Sequence, residues 1–127
     1  MTFLLGSRRT ADDLEEAPGW DEVGQVAISC PEGDLDAYTV SAFRERVAPL
    51  CGRPWVIFDL SKLTFIDSVG LGALIGAIRR IREAGGQSFV CAARPPVGRL
   101  LRMVGLDRIV AIEDSLEVVL RRIGTAS

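Results

Sequence analysis

The chain has 127 residues, enough for one domain with a buried core and too few for a catalytic domain beside a separate substrate domain. Its hydrophobic share of 48% and charged share of 25% are those of an ordinary globular protein, and no apolar run approaches the length of a membrane span. A net charge of -2 with scattered arginines lacks the basic footprint of a nucleic-acid binder.

The chain contains no histidine, which removes the usual general base together with every Ser-His or Cys-His mechanism. Cys30, Cys51 and Cys91 are odd in number, widely spaced and without a Cys-x-x-Cys pair, so they read as reduced thiols serving as small hydrophobes rather than as a zinc site or a redox switch. Phe3, Leu4 and Leu5 form too short an apolar segment for a signal-peptide core, and the expected location is the cytoplasm.

Residues 1–22 hold six acids and the breaker Pro18-Gly19 without a sustained period, which predicts a loose acidic N-terminal segment with at most one short edge strand. The domain proper is expected over residues 23–123, followed by a tail, 124–127. Val26, Ile28 and Cys30 alternate with Ala27 and Ser29, a strand ended by Pro31-Glu32-Gly33. The Gly33-Asp34-Leu35-Asp36 turn then leads into Val40, Phe43, Val47 and Leu50, a helical stripe over about Ala37 to Ala48 with Asp36 as N-cap.

Trp55 to Leu60 is nearly all apolar and rich in β-formers, which predicts a central strand. Ser61 to Thr64 bridge to Phe65-Ile66-Asp67-Ser68-Val69-Gly70-Leu71-Gly72, where an apolar run meets a turn-prone pair and a long helix begins. Leu71, Leu74, Ile75, Ile78 and Ile81 share one face of that helix, and Gly85-Gly86 stops it. Ser88 to Ala93 is the next buried strand. Pro95-Pro96 opens a short helix with Val97, Leu100, Leu101 and Val104 on one stripe, closed by Gly105. Arg108 to Ile112 reads as the last strand, and Asp114-x-x-Glu117 as a capping box for a final helix to about Ile123.

Strands alternating with helices indicate an α/β domain: a mixed, mostly parallel sheet of four to five strands with about four helices packed on it. Sites in such sheets form at strand-to-helix ends, and the turns at Gly33 to Asp36 and at Asp67 to Gly70 both lie at ends of that kind, so they are expected to converge.

Four uses of the second turn compete. Gly70-Leu71-Gly72 with Gly76 imitates a dinucleotide fingerprint, but the acidic ribose partner expected about 20 residues on is replaced by Arg94. Close packing of the helix on the sheet is the blander use of Gly72 and Gly76. Asp34, Asp36, Asp59 and Asp67 could gather as a carboxylate or metal site, although turn and cap duties account for each separately. Ser68 or Asp67 could simply cap the helix, worth about 1 kcal/mol. Ser68 could also be a kinase substrate.

The whole chain resembles the STAS domain, in particular the bacterial anti-sigma factor antagonists of the sporulation and general stress pathways. Gly33-Asp34-Leu35-Asp36 with Thr39 is similar to the family's Gly-Glu-Leu-Asp-x-x-Thr element, and Asp67-Ser68-Val69-Gly70-Leu71-Gly72 to its Asp-Ser-Ser/Thr-Gly-Leu-Gly signature. The likeness runs from about Val23 to Leu120 through Phe58-Asp59-Leu60, Gly85-Gly86 and Gly105-Leu106.

The resemblance implies a non-enzymatic protein without cofactor or metal. Its unmodified form would bind an anti-sigma serine kinase through Asp34, Asp36, Thr39, Asp67, Ser68, Val69, Gly70 and Leu71 and so free a sigma factor. Phosphorylation of Ser68 by that kinase would end the interaction, and a separate serine phosphatase would reset it. Val69 stands where a second hydroxyl is common, which leaves one acceptor in the motif. The alternative the resemblance allows is a non-switching STAS scaffold or accessory subunit of a sensory or transport complex.

Overall fold

The computed structural model describes residues 2–4 and 25–126. Within them the elements run β1 (Thr2–Leu4), β2 (Val26–Ser29), β3 (Gly33–Leu35), α1 (Val40–Val47), β4 (Trp55–Asp59), β5 (Leu63–Ile66), α2 (Ser68–Glu83), β6 (Gln87–Cys91), α3 (Pro95–Met103), β7 (Ala111–Glu113) and α4 (Leu116–Ala126). Most of the expected acidic segment lies outside the described residues. β1 forms the short edge strand foreseen there.

Five strands make the main sheet in the order β1-β2-β4-β6-β7, parallel except for β1, which pairs antiparallel with β2. The apolar run of β4 is at its centre because Val56, Ile57 and Phe58 are fully buried, which only a strand covered on both faces achieves. Alternation divides the core. Ala27, Val56, Phe58 and Val90 face α1, α2 and α3, whereas Val26, Ile28, Ile57, Phe89 and Cys91 face Val119 and Ile123 of α4.

A second, two-stranded sheet is formed by β3 and β5, paired in parallel on the first of these faces. Sequence reading took both segments as turn or bridge. Each is only three or four residues long and at least half exposed, with Leu35, Leu63 and Ile66 alone turned into the core, so there is no period to detect.

Three boundaries also differ from expectation. The first α-helix begins at Val40, with Thr39 rather than Asp36 in the cap position, because Asp36 to Thr39 form a separate turn. A 3₁₀ turn over Leu106–Arg108 consumes the start of the expected last strand, which begins at Ala111. Ser115, not Asp114, caps α4: its Oγ accepts from the Val118 N–H at 3.2 Å. α4 continues to Ala126, beyond the expected end at Ile123.

Candidate functional site

The two turns singled out in the sequence meet. Parallel pairing sets Asp34 beside Phe65 and Leu35 beside Ile66, so the chain leaves β3 and β5 side by side at Asp36 and Asp67. The Asp67 N–H then donates to the Leu35 carbonyl at 3.2 Å, tying one turn to the other.

On the first turn, Asp36 Oδ1 accepts from the N–H groups of Tyr38 at 2.9 Å and Thr39 at 3.1 Å. Thr39 Oγ1 donates to the Asp34 carbonyl at 2.9 Å and accepts from the Asp36 N–H at 3.0 Å. These bonds close an Asx-type turn without help from the core. Asp34 Oδ1 accepts weakly from Thr64 Oγ1 at 3.4 Å, linking β3 to β5 through side chains as well as backbone. Asp34, Asp36 and Thr39 therefore shape the rim of the site.

On the second turn, Asp67 is extended and its Oδ1 accepts from the Gly70 N–H at 2.9 Å, the bond of an N-cap. Of the two capping candidates, Asp67 does the capping. Ser68, the first helical residue, is exposed, and its hydroxyl has no hydrogen-bond partner among the described residues. Val69 beside it is 40% exposed, while Leu71 is half-buried against the core. Ser68 stands at the positive end of a 16-residue helix, a place that favours negative charge.

Gly70 is the point of closest approach. A Cβ there would lie 2.1 Å from the Leu35 carbonyl oxygen, so any side chain would push the turns apart. The expectation that Gly72 and Gly76 serve close packing is wrong, since a Cβ on either meets nothing within 4 Å. They line an open groove of about 300 Å³ between α1 and α2 whose floor includes Phe43 and Ala73 and whose rim carries Arg44, Arg79 and Arg80.

The other sequence candidates do not assemble. Among the described residues no group of three His, Cys, Asp or Glu side chains is arranged to hold a metal ion. Asp59 instead accepts from the Ser61 N–H at 3.0 Å, and Arg94 Nε donates to the Ser61 carbonyl at 3.0 Å. Cys30 and Cys91 flank β4 on either side, about 10 Å apart across two strand spacings, beyond the reach of a disulfide. Burial pushes both thiols up, to about 11 for Cys30 and about 12 for Cys91, which makes them poor nucleophiles.

Sequence reading missed the exposed aromatics that border the site. Tyr38 is 95% and Phe65 50% exposed. A signal for Phe65 existed in its pairing opposite Asp34, but that pairing joins residues far apart in the chain.

A family model for the STAS domain matches residues 18–119. The chain belongs to the STAS family. It is 37% identical over 93 residues to the anti-sigma F factor antagonist of Paenibacillus polymyxa, covering 71% of this chain and 80% of that one. An anti-sigma factor antagonist from Mycobacterium paratuberculosis superposes with a TM-score of 0.70 at 26% identity, over 77% of this chain and 85% of its own. The STAS domain of a SulP transporter from Vibrio cholerae superposes with a TM-score of 0.64 at 18% identity, over 80% and 85%, which shows a shared fold. Among the described residues of this STAS domain no helix is long and apolar enough to cross a membrane.

Proposed function

We propose that this STAS domain is an anti-sigma factor antagonist, active in the cytoplasm, that binds an anti-sigma serine kinase when unmodified and releases it once Ser68 is phosphorylated. The observation that carries the reading is the setting of Ser68: an exposed hydroxyl free of capping duty, at a helix N-terminus, beside a rigid turn that a partner can read. The named relatives support the general role. The functional unit spans residues 23–123. The partner surface comprises Asp34, Asp36, Thr39 and the segment from Asp67 to Leu71, and capture of the kinase frees its sigma factor.

Phosphorylation adds about -1.5 to -2 charge and three acceptor oxygens. In the free domain the α2 dipole offsets that charge by about 0.3 to 1 kcal/mol, so the fold persists. Under a partner the same charge joins Asp36 and Asp67 in a less screened surface, and repulsion drives release. A loss of about 2.7 kcal/mol corresponds to a hundredfold in affinity, enough for a switch. Reset of Ser68 falls to a separate serine phosphatase.

Incubation with ATP and the cognate kinase, followed by mass spectrometry, should place phosphate on Ser68. The Ser68→Ala variant should fold and bind the kinase, and Ser68→Asp should bind at least tenfold more weakly. Absence of phosphate from Ser68, with both variants binding alike, would instead favour a non-switching scaffold or accessory subunit.

A further inference from the structure

The far end of α2 carries a second feature, roughly 21 Å from Ser68 along a helix rising 1.5 Å per residue. There, β7 begins only at Ala111, opposite Phe89, so Gln87 and Ser88 of β6 extend past it without a β7 neighbour. The missing strand length leaves a notch of about 470 Å³ at the sheet edge, lined by residues of both α2 and α4. Arg82 of α2 and Arg122 of α4 enter it, Ser88 and Phe89 form its wall, and the half-buried Ile109 and Ala111 add apolar surface. Among the described residues no carboxylate lines it.

Both guanidiniums are held in place. Arg82 donates to the Ile109 carbonyl at 2.6 Å, which uses one of its five N–H donors. Arg122 pairs with Glu113 and lies 5.5 Å from the centre of the Phe89 ring. Independently, Ser88 Oγ is shielded from solvent without a hydrogen-bond partner, an arrangement that costs stability unless an acceptor is supplied. Ser88 shares the sheet face of Val90, the face on which α2 packs, so its hydroxyl lies on the Arg82 side of the notch.

Two fixed cations, one orphan hydroxyl and an apolar flank match an oxyanion attached to a small carbon skeleton. We propose that the notch binds a small phosphate monoester. The phosphate sits between Arg82 and Arg122 and accepts from Ser88 after rotation about the Cα–Cβ bond, with the ester's carbon portion against Ile109 and Ala111. Glu113 tempers the field at Arg122, which sets the affinity in a modest range.

The full chain is titrated with phenyl phosphate and with inorganic phosphate, against sodium chloride at matched ionic strength, with amide chemical shifts and thermal unfolding as readouts. Phenyl phosphate should give saturable shifts at Arg82, Ser88 and Val110, raise the unfolding temperature and bind more tightly than inorganic phosphate. Arg122→Gln should weaken binding about tenfold, and Ser88→Ala should weaken it while leaving the protein folded. Arg102→Gln, which removes an exposed charge outside the notch, should bind as wild type. Shifts that merely track chloride, equal affinity for the two phosphates, or wild-type binding by Arg122→Gln would each overturn the proposal.

Discussion

The two sheets divide the labour of the molecule. In the five-stranded sheet, β4 is covered on both faces and Val56, Ile57 and Phe58 have no exposure at all. In the two-stranded sheet, Asp34, Thr64 and Phe65 face solvent, and only Leu35, Leu63 and Ile66 reach the core. The large sheet is buried on both faces, whereas the small one is anchored to the core by Leu35, Leu63 and Ile66 alone and shapes its exposed side with a few hydrogen bonds and the Gly70 contact. The candidate site rides on the second kind of structure. A surface that a partner must read cannot be buried in its own fold, so its shape is fixed locally by Asp36, Thr39 and Asp67.

The contrast is broken most severely at two phenylalanines. Phe58 packs against Phe43 with ring centres 6.3 Å apart in the fully buried layer. Phe58→Ala should cost about 3 to 5 kcal/mol in urea unfolding. Phe65→Ala, at a half-exposed position of the small sheet, should change stability by about 0.5 kcal/mol or less. Its effect should appear in kinase binding, as a lower affinity measured calorimetrically. Equal losses of stability would show that the small sheet is as much part of the core as the large one.

A pair of glycines on α2 sharpens the same comparison at lower cost. Gly70→Ala places a Cβ against the Leu35 backbone, and the shift it forces should destabilise by about 1 to 3 kcal/mol. Because that shift separates the Asp36 and Asp67 turns, phosphorylation of Ser68 should slow as well. Gly72→Ala meets nothing and removes a flexible residue from a helix interior, so it should stabilise by up to about 1 kcal/mol. Urea unfolding of both variants checks the opposite signs.

What was legible in the sequence follows the same division. β4 and α2 announce themselves because burial on two faces demands a continuous apolar run and burial on one face demands a 3.6-residue stripe. That the two turns would meet was legible from the alternating order of strands and helices, although β3 and β5 bring it about. β3 and β5 were not, because their stability comes from pairing each other across the chain. The different roles of Gly70 and Gly72 were equally hidden: both are helical glycines, and only the position of the Leu35 carbonyl tells them apart. Ser115 in place of Asp114 shows the limit for caps, where two adjacent residues offer the same chemistry and the tertiary path of β7 selects one.

The smallest expected effect separates capping from charge at the site itself. Asp67→Ala removes the acceptor of the Gly70 N–H and should cost about 1 kcal/mol, whereas Asp67→Asn keeps a side-chain carbonyl there and should stay within a few tenths of wild type. The two variants thus differ in the hydrogen bond and share the loss of a carboxylate. If repulsion between Asp67 and phosphate at Ser68 contributes to release, the phosphorylated Asp67→Asn protein should bind the kinase more tightly than phosphorylated wild type, with the unmodified proteins nearly equal. Calorimetry on all four species checks this. Asn variants that bind like wild type in both states would assign the release to the phosphate's bulk and its remaining neighbours, and would leave Asp67 as a cap alone.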